Sequence, residues 1–205
     1  MSETGGQGAV SFYFDFVSPY AYLAHDRLTD LCARYDVRLD YRIVNLEQLK
    51  ARAGNTAPPT RTMPLKLKWA RADLARWAER YALPFRPPAG YGSHRANRGF
   101  FHAVERGAAT AYVRTTWNMI WGEGGDMGSD DLLRGVAAEL GWDGDAFLGA
   151  IDSPLAEQLY QRSTDSAHEA GVFGVPTMIL DGEFWWGNDR LDFVEQALAR
   201  RAARQ

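Results

Sequence analysis

The chain holds a single cysteine, Cys32, in 205 residues. One cysteine excludes an intramolecular disulfide and a Cys-x-x-Cys redox pair. Its neighbours Leu28, Leu31 and Tyr35 fall at helical spacing, so Cys32 reads as an inert core position. No run of about 18 apolar residues exists to cross a membrane. The opening stretch MSETGGQGAV has no basic region followed by an apolar run, so a secretory signal is not expected. The expectation is a soluble, cytoplasmic protein of a reducing compartment. An excess of one charge is also lacking. Lys and Arg number 23 against 26 Asp and Glu, for a formal charge of -3, and no basic stripe suits nucleic acid. The terminal ARRAARQ reads as a solvated helix end, where cations are favoured. His25, His94, His102 and His168 make no metal-binding spacing. The glycines of WGEGGDMGSDD are not followed by Lys-Ser/Thr and follow no strand. They read as a turn before a helix capped by Ser129. No internal repeat or low-complexity tract is present.

What is present is a large apolar fraction, 46% of the chain, ample for a core. Residues 9–16, AVSFYFDF, read as a strand. From Pro19 the positions Tyr20, Ala24, Leu28, Leu31 and Tyr35 step by three or four, a helix face. VRLDYRIV, 37–44, alternates Val37, Leu39, Tyr41 and Ile43 on one side, a second strand. A strand-helix-strand unit of this length predicts parallel pairing. NLEQLKARAGNTAPPT carries turn formers and predicts a connection wrapping a site. Residues 61–152 show mainly helical patterns, including a stripe of Leu67, Ala70, Leu74, Trp77 and Tyr81. A further helix runs from Leu155 to Gly171. PTMILDGEFWW reads as a hairpin around Asp181-Gly182. A last helix follows, capped by Asn188 or its neighbour, with Leu191, Val194 and Leu198 facing inward. The order β-α-β, helical block, β-β-α is an α/β thioredoxin-like plan with an inserted all-helical domain. The expected boundaries are 8–50 and 165–205 for the thioredoxin-like part and 51–164 for the insertion.

Three segments could carry chemistry. Ser18-Pro19 stands where a strand hands over to a helix. It serves as a cap, since Ser accepts from a free N–H and Pro suits the first turn. The same helix start can hold an anion, and a thiolate held there has a lowered pKa. Val175-Pro176-Thr177 precedes a strand. It is a strand start or, if the Val175–Pro176 bond is cis, a turn presenting Val175's backbone N–H and C=O to a peptide-like ligand. In FWWGNDRLDF, Asn188 and Asp189 are capping groups or receivers of an amino-acid head group. In a thioredoxin-like sheet the first helix start and the Pro turn lie side by side, so the combination is more specific than its parts.

FYFDFVSPYAYLA, GVFGVPTMIL and WWGNDRLDFVEQAL resemble the 2-hydroxychromene-2-carboxylate isomerases. These are relatives of the kappa-class glutathione transferases and of the disulfide oxidoreductases with an inserted helical domain. The resemblance covers nearly the whole chain, strongly at both ends and weakly from 85 to 165. In the redox branch a Cys opens the first helix; here Ser18 stands there. The resemblance implies that glutathione supplies the sulfur and that Ser18 orients and activates it. It implies that Val175, before Pro176, pairs with the glutathione backbone, and that Trp186, Gly187, Asn188 and Asp189 hold the γ-glutamyl end. By the same resemblance Lys50 and Asn55 line the substrate pocket, and Lys66, or else Lys68, reaches the ligand. Where many relatives carry a Pro-x-Asn segment, this chain has YGSHRANRGFF, with Asn97 as a candidate for that place. Tyr20, Trp69 and Trp186 offer an apolar wall. The implied function is a glutathione-dependent isomerase of aromatic degradation, acting on a small aromatic carboxylate as a homodimer. A kappa-like glutathione transferase and a non-redox thioredoxin-like binding module are the alternatives.

Overall fold

The computed structural model describes residues 8–204. Residues 1–7 and Gln205, and with them most of the opening stretch and the last residue of ARRAARQ, lie outside the described residues. The first strand, β1 (Ala9–Phe14), leads into helix α1 (Pro19–Arg34) and returns as β2 (Arg38–Ile43), parallel to β1 with Phe12 opposite Tyr41. Near the end of the chain β3 (Thr177–Leu180) pairs antiparallel with β1, and β4 (Glu183–Trp186) with β3. The sheet order is β2-β1-β3-β4. Asp181 and Gly182 take positive φ in the hairpin turn (50° and 83°), as a tight two-residue connection requires.

Strand β1 is buried on both faces. Val10, Phe12 and Phe14 join the main core, while Tyr13 packs on the other side with Val44, Leu49, Val172 and Val175. This explains why its sequence alternates only in part.

Between β2 and β3 lie seven helices among the described residues. They are α2 (Leu46–Arg52), α3 (Pro64–Arg80), α4 (His94–Glu105), α5 (Ala109–Trp117), α6 (Asp130–Glu139), α7 (Gly144–Ile151) and α8 (Pro154–Glu169). A π-turn, Asn118–Gly122, extends α5. The final helix is α9 (Leu191–Ala202). No helix among the described residues is long and apolar enough to cross a membrane.

Two expectations need correction. NLEQLKAR is a short helix rather than a turn, capped by Asn45, whose side chain accepts from Gln48 N–H at 3.1 Å. Seven residues are too few for helical periodicity to register. Asn188 does not cap α9: it opens a 3₁₀ turn, Asn188–Arg190, and α9 begins at Leu191 with no side-chain cap.

The helices and the sheet share one core. Trp117 at the end of α5 packs on Phe14, with ring centroids 4.9 Å apart, and on Phe16 at 5.2 Å. A buried polar network adds direction to that packing. Asn97 on α4, fully buried, accepts from Phe16 N–H (3.2 Å) and donates to Tyr160 Oη on α8 (2.7 Å). Tyr160 donates to Val44 C=O (3.3 Å), and Thr164 accepts from Asn45 N–H (3.0 Å). Burial and nearby Asp15 hold the Tyr160 phenol well above its ordinary pKa, so it stays a donor. Satisfied buried networks of this kind rigidify what they touch. Here they fix the chain just after β1 and β2.

Candidate active site

The loop after β1 carries Ser18 to the start of α1. Ser18 is extended (φ -91°, ψ 110°), and its Oγ accepts from Ala21 N–H at 3.2 Å, with Pro19 opening the helix. Its own N–H donates to Asp15 C=O at 2.9 Å. The capping bond uses an Oγ lone pair and leaves the O–H hydrogen available. Ser18 is 5% exposed, and it lines a cavity of about 380 Å³. Ser18 therefore caps α1 while its hydroxyl donor stays unused.

Asp15 organises the loop. Its Oδ1 accepts from Val17 N–H (3.0 Å) and its Oδ2 from Leu46 N–H (3.1 Å). One buried carboxylate thus ties the approach to α1 to the first residue of α2. Trp121, in the π-turn, donates its indole N–H to Phe16 C=O at 2.8 Å.

Val175 lines the same cavity, and the Val175–Pro176 bond is cis. Pro176 C=O accepts from Gly187 N–H at 2.9 Å. Neither the N–H nor the C=O of Val175 has a hydrogen-bond partner among the described residues. The first turn of α1 is joined to α3 by Tyr20, whose hydroxyl donates to Asp73 Oδ2 at 2.9 Å. Burial, the Asp73 bond and the charge of Asp189 hold this phenol well above its ordinary pKa.

The facing wall comes from α2, α3 and the loops around them. Phe85 stacks on Trp121, with centroids 5.7 Å and planes 8° apart, and Tyr91 and Trp69 continue the aromatic surface. Four cations line the cavity, Lys50, Arg61, Lys66 and Arg71, and no Asp or Glu does. None of the four makes an ion pair or a side-chain hydrogen bond among the described residues. Arg61 instead lies over the Tyr91 ring, 5.5 Å from its centroid. In a chain of net charge -3, such a wall favours an anionic, aromatic ligand.

The expected site residues fall into groups. Ser18, Tyr20, Lys50, Lys66 and Val175 line one cavity. Asn55 lines a second cavity of about 390 Å³ that shares Lys50. Gly187, Asn188 and Asp189 lie outside both linings. Gly187 has φ +108°, and a Cβ there would strike Asp189. Asn188 is 4% exposed, and its Nδ2 has no partner among the described residues. Trp186 stands apart, 53% exposed, with its ring 5.1 Å from that of Phe173. Lys68 lines neither cavity, and Asn97 is committed to the buried network. Cys32 is 3% exposed, and burial pushes its thiol up to about 12, an unreactive setting.

The sequence reasoning missed Arg61, Arg71, Phe85, Tyr91 and Trp121. A larger cavity of about 490 Å³, lined by His25, Asp26 and Arg114 among others, lies elsewhere and includes neither Ser18 nor Val175.

Residues 9–199 match the DSBA-like thioredoxin domain. A 2-hydroxychromene-2-carboxylate isomerase of Pseudomonas putida is 42% identical over 191 residues, covering 93% of this chain and 94% of its own. The chain belongs to the 2-hydroxychromene-2-carboxylate isomerase family. A relative of the same name from Sphingobium xenophagum is 39% identical over 189 residues, covering 92% of this chain and 97% of its own. A solved 2-hydroxychromene-2-carboxylate isomerase superposes with a TM-score of 0.92 at 41% identity, over 96% of this chain and 97% of that one. Further off, glutathione S-transferase kappa 1 of Rattus norvegicus is 20% identical over 208 residues, covering 94% of this chain and 91% of its own.

Proposed function

We propose that the chain is a glutathione-dependent isomerase that interconverts a 2-hydroxychromene-2-carboxylate and its ring-opened isomer. The observation that carries this reading is the cavity itself. An unused hydroxyl donor at a helix start shares it with an unpaired peptide edge, four unpaired cations and an aromatic wall. The isomerase relatives supply the reaction by name, and the kappa-class relative supplies glutathione by name.

The residues present fit glutathione. The free N–H and C=O of Val175 match a peptide backbone. The orphaned, buried Nδ2 of Asn188 lacks a partner that a carboxylate would provide, and Asp189 suits an ammonium. When bound, glutathione supplies a thiol nucleophile. The work of the chain is then electrostatic and positional. The N–H groups at the start of α1 and the helix dipole favour the anionic sulfur, and the Ser18 hydroxyl donates to it. Lys50, Arg61 and Lys66 hold the substrate carboxylate, while Phe85, Tyr91 and Trp121 cover the ring and exclude water.

The test is interconversion of the two isomers with glutathione present in catalytic amount. Turnover that requires glutathione and leaves its concentration unchanged supports the isomerase. Consumption of one glutathione per product would make the chain a transferase of the kappa kind. Turnover independent of glutathione would remove the thiol from the reaction.

A further inference from the structure

We infer that the active site has two compartments, and that the second receives the carboxylate-bearing arm of the ring-opened isomer. The inference rests on the isomerase reading above.

The cavity of about 390 Å³ meets the Ser18 cavity along Val17, Leu46, Lys50, Pro59, Arg61 and Tyr91. Ser18 and Val175 line only the first. The two differ in chemistry. The first is walled by aromatic rings. The second is walled by Asn55, Thr56, Ser93 and His94. The side chains of Thr56 and His94 make no hydrogen bond among the described residues, and Asn55 spends only its Oδ1, on Ala57 N–H at 3.3 Å. Two carboxylates touch this compartment. Asp15 has an oxygen on each of two backbone N–H groups, and Glu47 is exposed on the first turn of α2.

Lys50 and Arg61 therefore stand on the shared wall, with an apolar room on one side and a polar room on the other. The reaction needs such an arrangement. In the closed isomer the carboxylate and hydroxyl sit on one ring carbon, and the molecule is compact. On opening, the ring C–O bond breaks and the hydroxyl carbon becomes a ketone. The hydroxyl proton is balanced by protonation of the departing aryl oxygen, so the isomers keep one composition. The ketone and carboxylate are now on an arm that projects away from the ring. With the ring held among Phe85, Tyr91 and Trp121, the arm extends past Lys50 and Arg61 into the polar compartment. The same two cations serve the carboxylate before and after opening.

Filling the second compartment tests this. Ala57 is exposed in the loop, and Ala51 is exposed on the last turn of α2; both line that compartment and not the first. Ala57→Trp and Ala51→Phe are compared with wild type for glutathione affinity, for KM of the closed isomer, and for KM and product inhibition of the open isomer. The ratio of kcat/KM in the two directions is pinned by the equilibrium constant, so the informative quantities are the separate affinities. The expected result is an open isomer bound about tenfold more weakly, with the closed isomer and glutathione unchanged. Thr56→Val, which removes a donor without filling space, should move the same affinity in the same direction. Equal weakening of both isomers, or no change in either, overturns the inference. If wild type interconverts the isomers with glutathione and the variants do not discriminate, only the two-compartment inference falls. If wild type itself needs no glutathione, the functional reading falls first.

Discussion

The wall around Ser18 and the wall opposite it are built from different materials. The Ser18 side is built from backbone and short side chains: a helix start and the free peptide edge of Val175. The approach to the helix start is held by buried bonds, with Val17 and Leu46 N–H donating to Asp15 and Phe16 N–H to Asn97. The opposite side is built from long side chains on α2, α3 and the loop between them, where Arg61, Lys66 and Trp69 are exposed. Of the 17 residues of α3, only Ala70, Leu74 and Ala78 are buried. On the proposed mechanism, the difference makes positioning of sulfur and choice of substrate separable. The first depends on rigid, buried geometry and the second on exposed groups that touch little else.

Variants can break or sharpen this contrast. The largest effect is expected at Ser18. On the proposed mechanism, Ser18→Ala removes a donor from the sulfur anion and should lower kcat/KM by about 10²- to 10³-fold. Its pH–rate profile should shift to higher pH, with glutathione affinity nearly kept. An unchanged profile would place sulfur activation elsewhere. Next comes Asn97→Ala, which strands Phe16 N–H and removes the donor to the Tyr160 oxygen. It should cost about 1–3 kcal/mol of stability for an orphaned buried group, read from the denaturant midpoint. If stability is untouched, the Ser18 side is not held by this network.

Arg61→Ala should raise KM for the anionic substrate about tenfold with kcat and glutathione affinity little changed. A fall in kcat without a change in KM would erase the division of labour. The smallest effect concerns His102, which lines neither cavity and whose Nε2 accepts from Arg106 Nε at 2.7 Å. Burial and then the Arg106 charge lower its pKa below the ordinary value of 6.5. The unfolded chain therefore binds the proton first. Stability is complete above about pH 6.5 and declines as pH falls toward the folded-state value. Urea midpoints of wild type and His102→Gln from about pH 8 to about pH 5 should converge on that account; parallel curves would refute it.

Much of the fold was legible from strong local signals. α1 announces itself through a Ser-Pro start and an apolar face at helical spacing. β3 and β4 do so through the Asp-Gly turn. The Ser18–Val175 pairing was legible because topology brings a helix start beside a Pro turn. The rest was not, for physical reasons. α2 is shorter than the window in which periodicity shows. Asn97 looks like any polar helix residue, because its partners Phe16 and Tyr160 are 81 and 63 residues away. Arg61 lies in a single 3₁₀ turn, Thr60–Thr62, and Tyr91 in a loop without pattern, and only tertiary structure stacks one on the other. Trp121 sits in a π-turn, a local widening of the helix that spacing rules do not anticipate. Charge was misleading in its average: a net -3 conceals a cavity whose charged lining residues are all cations.

The Asp15 carboxylate, with one oxygen on the approach to α1 and the other on the start of α2, has a consequence for how such a protein diversifies. Because the two helices are pinned to each other at their roots, residues 55–63 and the outer half of α3 are free to vary in length and chemistry without loosening the start of α1. New ligands can be tried at the rim while Ser18 and its helix start stay in place.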